Sequence, residues 1–199
     1  MRGWEESLAG TIFCNYRRND DPGSAGRLFD WLRRVFAWWQ LFFDVDSIAP
    51  GLDFVQVLQE QVSQCDVMLV IIGKDWINAR DEAGARRLDN PGDFVRIEIE
   101  SALAQNKRVI PVLVGEGRMP RSDELPDAIK PLARRNAVRL THERFCADVQ
   151  GLIKALRQAL REAEATRRAR VARRTARPRQ QDERKARAAP ARAKARGFR

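Results

Sequence analysis

The chain has 199 residues, enough for one domain and an extension, and a formal net charge of +10. The charge is uneven. From Ala165 to Arg199 there are 14 Lys and Arg against Asp182 and Glu183, a balance of +12, whereas residues 1–164 carry 23 basic and 25 acidic residues, a balance of −2. A nucleic-acid or acidic-surface reading therefore concerns the tail alone. No stretch approaches about 18 consecutive apolar residues, so no helical membrane span is expected. Met1 is not followed by a secretory apolar segment.

Past an N-terminal segment (1–9), residues 10–164 alternate strand and helix patterns. TIFCNY (11–16) reads as a short strand. Leu28, Trp31, Leu32, Val35 and Phe36 follow at helical spacing. LFFDV (41–45) is a second strand, and Phe54, Val55, Leu58 and Val62 mark a second helix. DVMLVII (66–72) is a continuous apolar run of strand length, the mark of a strand buried on both faces. A helix over 94–105 comes next. RVIPVLV (108–114) is a fourth strand, whose Pro111 predicts an edge or bulge position. AVRL (137–140) is a weak fifth, and the last helix runs from Phe145 to about Arg161. Such alternation predicts an α/β fold with a mainly parallel, doubly wound sheet. Ligands of such sheets bind beyond the carboxyl ends of the strands.

The residues after those ends narrow the chemistry. Arg17, Arg18, Asn19, Asp20 and Asp21 follow the first strand. Asp46, Ser47, Ile48, Ala49, Pro50 and Gly51 form a polar loop with a Pro-Gly turn after the second. Gly73, Lys74, Asp75 and Trp76 follow the third. There is no GxGxxG and no GxxxxGK[ST], so neither usual phosphate cradle is present. The acidic pair of a phospho-acceptor receiver is also missing, because Tyr16, Arg17 and Arg18 stand there. His142 is the only histidine and reads as a surface residue, which leaves little for His-based metal sites or Ser-His-Asp triads. No metal site is expected. Cys14, Cys65 and Cys146 share no CxxC spacing and predict reduced thiols in a cytoplasmic protein, with Cys14 and Cys65 packed in the core.

Within DFVRIEIESAL (93–103), Val95, Ile99, Ala102 and Leu103 make one apolar helix face. Glu98 and Glu100, two residues apart, point roughly 200° from each other, so they cannot serve one site. Glu100 sits four after Arg96, the spacing of a surface ion pair. Glu98 sits four after Phe94, and an aromatic beside a carboxylate at the border of a core face is the composition of a pocket wall. On spacing alone, both glutamates also fit solvated helix charges.

Taken in order, IFCNYRRND, FFDVDSIAPGLDF, CDVMLVIIGKDW, DFVRIEIESAL and RVIPVLV resemble a TIR (Toll/interleukin-1 receptor) domain of the bacterial kind over about residues 10–160. Each piece is weak alone and the combination is specific. The resemblance implies a flavodoxin-like, five-stranded parallel sheet with helices on both faces. It identifies the loop containing Asp46–Asp53 with the family's BB loop, in which Ile48, Ala49, Pro50 and Gly51 would serve assembly. Many TIR domains cleave NAD between nicotinamide and ribose, and others only assemble signalling complexes. Enzymatic members carry a glutamate on the helix after the third strand, which is Glu98 here. Two departures stand out: Asn15, where the bacterial pattern usually reads Ser before Tyr-Arg, and Phe94, where some members carry Trp.

The implied chemistry is consistent with one carboxylate. Nicotinamide in oxidised NAD is a cationic leaving group and needs no general acid, unlike an ordinary glycosidic oxygen. Glu98 would stabilise the oxocarbenium-like sugar or orient its hydroxyls. Arg17 and Arg18 would hold the pyrophosphate, with Tyr16, Asp46, Ser47 and Phe94 around the substrate. Trp76 would stack on a ring of the ligand, although core packing is the commoner role of such a Trp. NAD is then a substrate and no cofactor is called for. The Arg/Ala-rich tail (165–199) reads as a solvated extension, disordered or with its first half continuing the last helix; its functional reading is contact with nucleic acid or acidic surfaces by counterion release. Two classes of function follow: an NAD glycohydrolase, hydrolysing or cyclising NAD at the nicotinamide–ribose bond and activated by self-association in signalling or defence, and a non-catalytic TIR adaptor working through TIR–TIR contacts.

Overall fold

The computed structural model describes residues 10–43 and 54–193, and side chains within these ranges except at 54–55 and 174–193. Five strands carry the fold: β1 (Ile12–Asn15), β2 (Leu41–Phe43), β3 (Val67–Ile72), β4 (Arg108–Val114) and β5 (Val138–Leu140). They form one parallel sheet in the order β2-β1-β3-β4-β5, the flavodoxin-like order that the resemblance implied. The helices are α1 (Pro22–Val35), α2 (Phe54–Gln64), α3 (Phe94–Ala104) and α4 (Phe145–Ala193). Two compact units divide the chain at Leu160, close to the boundary expected from charge. In the first unit α4 supplies residues 145–160. The second is helical from Arg161 to Ala193, further than the half-tail helix that composition predicts. Ala and Arg are both strong helix formers.

Side-chain alternation along the strands divides the core into two layers. Val67, Leu69 and Ile71 of β3 join Ile12 and Cys14 of β1 in a cluster closed by Leu28 and Leu32 of α1 and Leu152 and Leu156 of α4. Met68, Val70 and Ile72 face the other way with Phe13, against Val62 of α2 and Val95, Ile99 and Ala102 of α3. All six β3 residues are buried, as a strand covered on both faces must be. Asn15 shares the parity of Phe13, so the pleat turns it toward α3.

Pro111 corrects an expectation. It lies on β4, an interior strand, paired with Val70 in register. It is accommodated because β5 pairs only with Val112–Val114 and leaves β4 unflanked on that side at Pro111. Between β4 and β5 the chain forms 3-10 segments, Ser122–Glu124 and Asp127–Arg134, where no helical period is visible in the sequence. Cys14 and Cys65 are buried and free, and Cys146 is free but exposed. His142 is exposed. No helix among the described residues is long and apolar enough to cross a membrane.

Candidate active site

The start of α3 organises the carboxyl end of the sheet. Asp93 caps the helix, its carboxylate accepting from the backbone N–H of Arg96 at 3.1 Å. The same carboxylate takes both terminal nitrogens of Arg17 at 3.0 Å each, and Nε of Arg87 at 3.0 Å. Asp93 thereby ties the loop after β1 to α3. The Arg17–Asp93 pair is buried, so removing either partner leaves a charge in the interior.

A second carboxylate joins the ends of β1 and β3. Asp20 accepts from the backbone N–H of Gly73 at 2.9 Å and of Asp75 at 2.8 Å. A Cβ at Gly73 would meet Asp20 Oδ1 at 2.5 Å, so the close approach demands glycine there. Burial pushes the Asp20 carboxyl above its ordinary range, and the two backbone N–H groups work against that rise.

Between these ties lies a cavity of about 510 Å³. Tyr16, Arg17, Arg18, Asn19 and Asp20 line it from the β1 side; Asp75, Ala79, Arg80 and Arg87 from the segment after β3; Phe94, Val95 and Glu98 from α3. Phe94 is exposed, while Glu98, one turn on, is 6% exposed. Glu98 is held: Nδ2 of Asn15 donates to its Oε2 at 2.6 Å and to the carbonyl of Val95 at 3.1 Å. Asn15 Oδ1 is buried with no hydrogen-bond partner among the described residues. Glu100, by contrast, is exposed and lies 3.9 Å from Arg96, the surface pair its spacing predicts. The cavity can lay a planar ring against Phe94 and present a buried carboxylate to a centre that gains positive charge. Cys14 also lines it, but burial drives its thiol pKa far up, so it is no nucleophile.

Of the expected ligand contacts, Arg17 lines the cavity while engaged with Asp93, and Trp76 lies away from it. Arg17 is committed to Asp93, with its guanidinium 5.9 Å from the centre of the Trp76 ring. Trp76 is fully buried in the α3-side layer and does not line the cavity, so its ring is closed to a ligand. A Trp following a buried strand turns back into the layer that strand supports. Arg18 is exposed at the rim, and Tyr16 is half-buried with its ring edge-on to Phe29. Asp46, Ser47, Ile48, Ala49, Pro50 and Gly51 lie outside the described residues. Residue spacing gives no sign of Asn15 as a contact of Glu98, nor of Arg87, whose side chain lines the cavity 42% exposed with Nε on Asp93. An Asp before an apolar-periodic run is the signal that could have marked Asp93 as a helix cap; no such signal marks its arginines.

A TIR domain family model matches residues 12–153. The chain belongs to the TIR domain family. In fold this TIR domain is similar to the TIR domains of the activated Roq1 resistosome directly recognizing the pathogen effector XopQ, at 14% identity and TM-score 0.53, covering 74% of this chain and 99% of that chain. A prokaryotic SEFIR domain matches at 19% identity and TM-score 0.47, over 76% of this chain and 92% of that chain. A metazoan TIR-STING receptor from C. gigas, solved in complex with 2',3'-cGAMP, matches at 16% identity and TM-score 0.46, over 71% of this chain and 39% of that chain. No curated protein matches the sequence. At these identities the likeness to solved structures is one of fold.

Proposed function

We propose that this TIR domain cleaves NAD at the bond between nicotinamide and ribose. The observation that carries the reading is Glu98, a buried carboxylate in a cavity at the carboxyl end of the sheet, with the exposed ring of Phe94 one helical turn away. In the step proposed, the C–N bond breaks and its electron pair neutralises the nicotinamide nitrogen. Positive charge develops on the ribose, facing Glu98, and a water oxygen then bonds to that carbon and releases its proton to solvent. No acid is needed at the leaving group. Arg18 and Arg87 contact the pyrophosphate, Arg87 replacing Arg17, which Asp93 retains. The activity belongs to self-associated copies in signalling or defence, and the free thiols suit a cytoplasmic setting.

A second reading, an assembly module without turnover, draws on one observation. An arginine expected for phosphate is instead part of a structural ion pair. The test that separates the two is free nicotinamide released from NAD by the purified protein, followed at low and high protein concentration. Release that rises in specific activity with concentration supports the enzyme; no release even from clustered protein, with NAD unbound, supports the module.

A further inference from the structure

We infer that Asn15 is a positioning residue whose amide holds Glu98 as an ionised carboxylate, so that Glu98 works by its charge and not as a proton donor. The inference rests on the reading of Glu98 above. Asn15 ends β1 with the parity that faces α3, and it is 1% exposed. Its amide orientation follows from its neighbours. The Val95 carbonyl, 3.1 Å away, can only accept, so it requires the amide nitrogen; the reversed amide would set Oδ1 against that carbonyl and against the carboxylate together. Oε2 of Glu98 therefore meets an N–H at 2.6 Å. A proton on Oε2 would break the bond, and a proton on Oε1 would weaken it to one between neutral groups. Hydrogen bonding to the charged form favours that form.

The choice of residue carries the same sense. A hydroxyl at this place could donate to a carboxylate or accept from a carboxylic acid, and so tolerates both states of Glu98. The amide N–H can only donate. Asn15 does this while its own Oδ1 is buried with no partner among the described residues, a feature that an apolar side chain of the same shape would not have. The amide is thus better explained by what its nitrogen does than by its own packing. Among the described residues, the charged groups lining the cavity with Glu98 are Arg17, Arg18 and Asp20 from the loop after β1, and Asp75, Arg80 and Arg87 from the segment after β3. On α3 itself stand Asp93, Arg96 and Glu100, the first two engaged with each other and with Arg17 and Leu88. Of the groups on the described elements, Asn15 donates directly to Oε2.

The experiment uses the full chain with Asn15→Leu, which removes the donor at nearly constant shape, and Asn15→Asp, which replaces it with an acceptor. Circular dichroism melts establish that each variant is folded. The Glu98 carboxyl is titrated by carbon-13 NMR and assigned by its loss in Glu98→Gln. Asn15→Leu is expected to raise the Glu98 midpoint by about one to two pH units, and Asn15→Asp by more. If nicotinamide is released, the acid limb of kcat should move upward by the same amount in each variant, with KM within about twofold of wild type. Part of the kcat of Asn15→Leu should return above its new midpoint. A residue that only fills space would lower the melting temperature and leave the midpoint in place; an unmoved midpoint in both folded variants overturns the inference. If the wild-type protein releases no nicotinamide under any condition, the proposed function falls, and the Glu98 midpoint still decides the role of Asn15.

Discussion

Glu98 and Glu100 are separated by one residue, and their surroundings have little in common. One is buried in the cavity under an amide; the other reaches into solvent beside Arg96. Glu98→Ala is expected to abolish nicotinamide release with the fold intact, whereas Glu100→Ala should keep it and cost at most about 0.3–0.5 kcal/mol, the worth of an exposed helix pair. Equal losses in two folded variants would refute the assignment of faces. The arginines divide in a similar way. Arg17→Leu leaves the buried Asp93 with Arg87 and the Arg96 backbone N–H, and should lower stability by up to about 3 kcal/mol in denaturant unfolding. Arg87→Ala removes a half-exposed side chain and the weaker of Asp93's two arginine contacts; it should cost less stability than Arg17→Leu, because the bidentate Arg17 pair remains, and raise KM for NAD about tenfold or more, the loss of a charge-assisted phosphate contact. An Arg87 variant with wild-type KM would return the phosphate role to Arg18. These differences were outside the reach of spacing: consecutive arginines look alike in a sequence, and only the position of Asp93 tells which is bound.

At the scale of elements, α3 is the piece on which the site depends, since its cap, its rim aromatic and its buried carboxylate fall within residues 93–98. The segment before β5 offers a separate test, away from the cavity. Glu124 takes both terminal nitrogens of Arg118, at 2.8 and 2.6 Å, and the backbone N–H of Arg121 at 2.7 Å. Led by the Arg118 side chain, these bonds bring its pKa down to about 2. A carboxylate held below its unfolded value adds stability at pH above that value, and the gain is lost as pH falls toward the folded one. Arg118→Ala should therefore raise the Glu124 titration toward the ordinary carboxylate range, lower the melting temperature at pH above that range and flatten the acid-side fall, so that variant and wild type converge at low pH. A melting profile that superimposes on wild type across the acid range would show the pair to be without effect on folding. This segment is poorly legible in the sequence, because 3-10 turns carry no 3.6-residue period.

For the molecule as a whole, the expected self-association predicts that specific activity rises with protein concentration, or on a surface that crowds the copies. Analytical ultracentrifugation alongside the nicotinamide assay checks this; constant specific activity from a monomer throughout would favour a site complete in one copy. The basic tail should contribute separately. If it meets nucleic acid or another polyanion by counterion release, that binding must weaken steeply with added salt, while the catalytic rate per assembled copy should not depend on it.

Periodicity and charge alone determined the sequence of strands and helices, the burial of β3 on both faces, the separation of a near-neutral domain from a basic tail, and the opposite facing of Glu98 and Glu100. These properties are local: a period of two or of 3.6 residues is written within a dozen positions. Five ordered segments added the family and with it the strand order. Tertiary structure decided the rest. It set Asn15 against Glu98, 83 positions away, and Arg17 against Asp93, 76 away. It also sealed Trp76 under Arg17 and let Pro111 occupy an interior strand at the stretch that β5 leaves unpaired. Each of these depends on which strand lies beside which and in what register, and hydrogen bonds between residues so far apart leave no periodic trace in a single sequence.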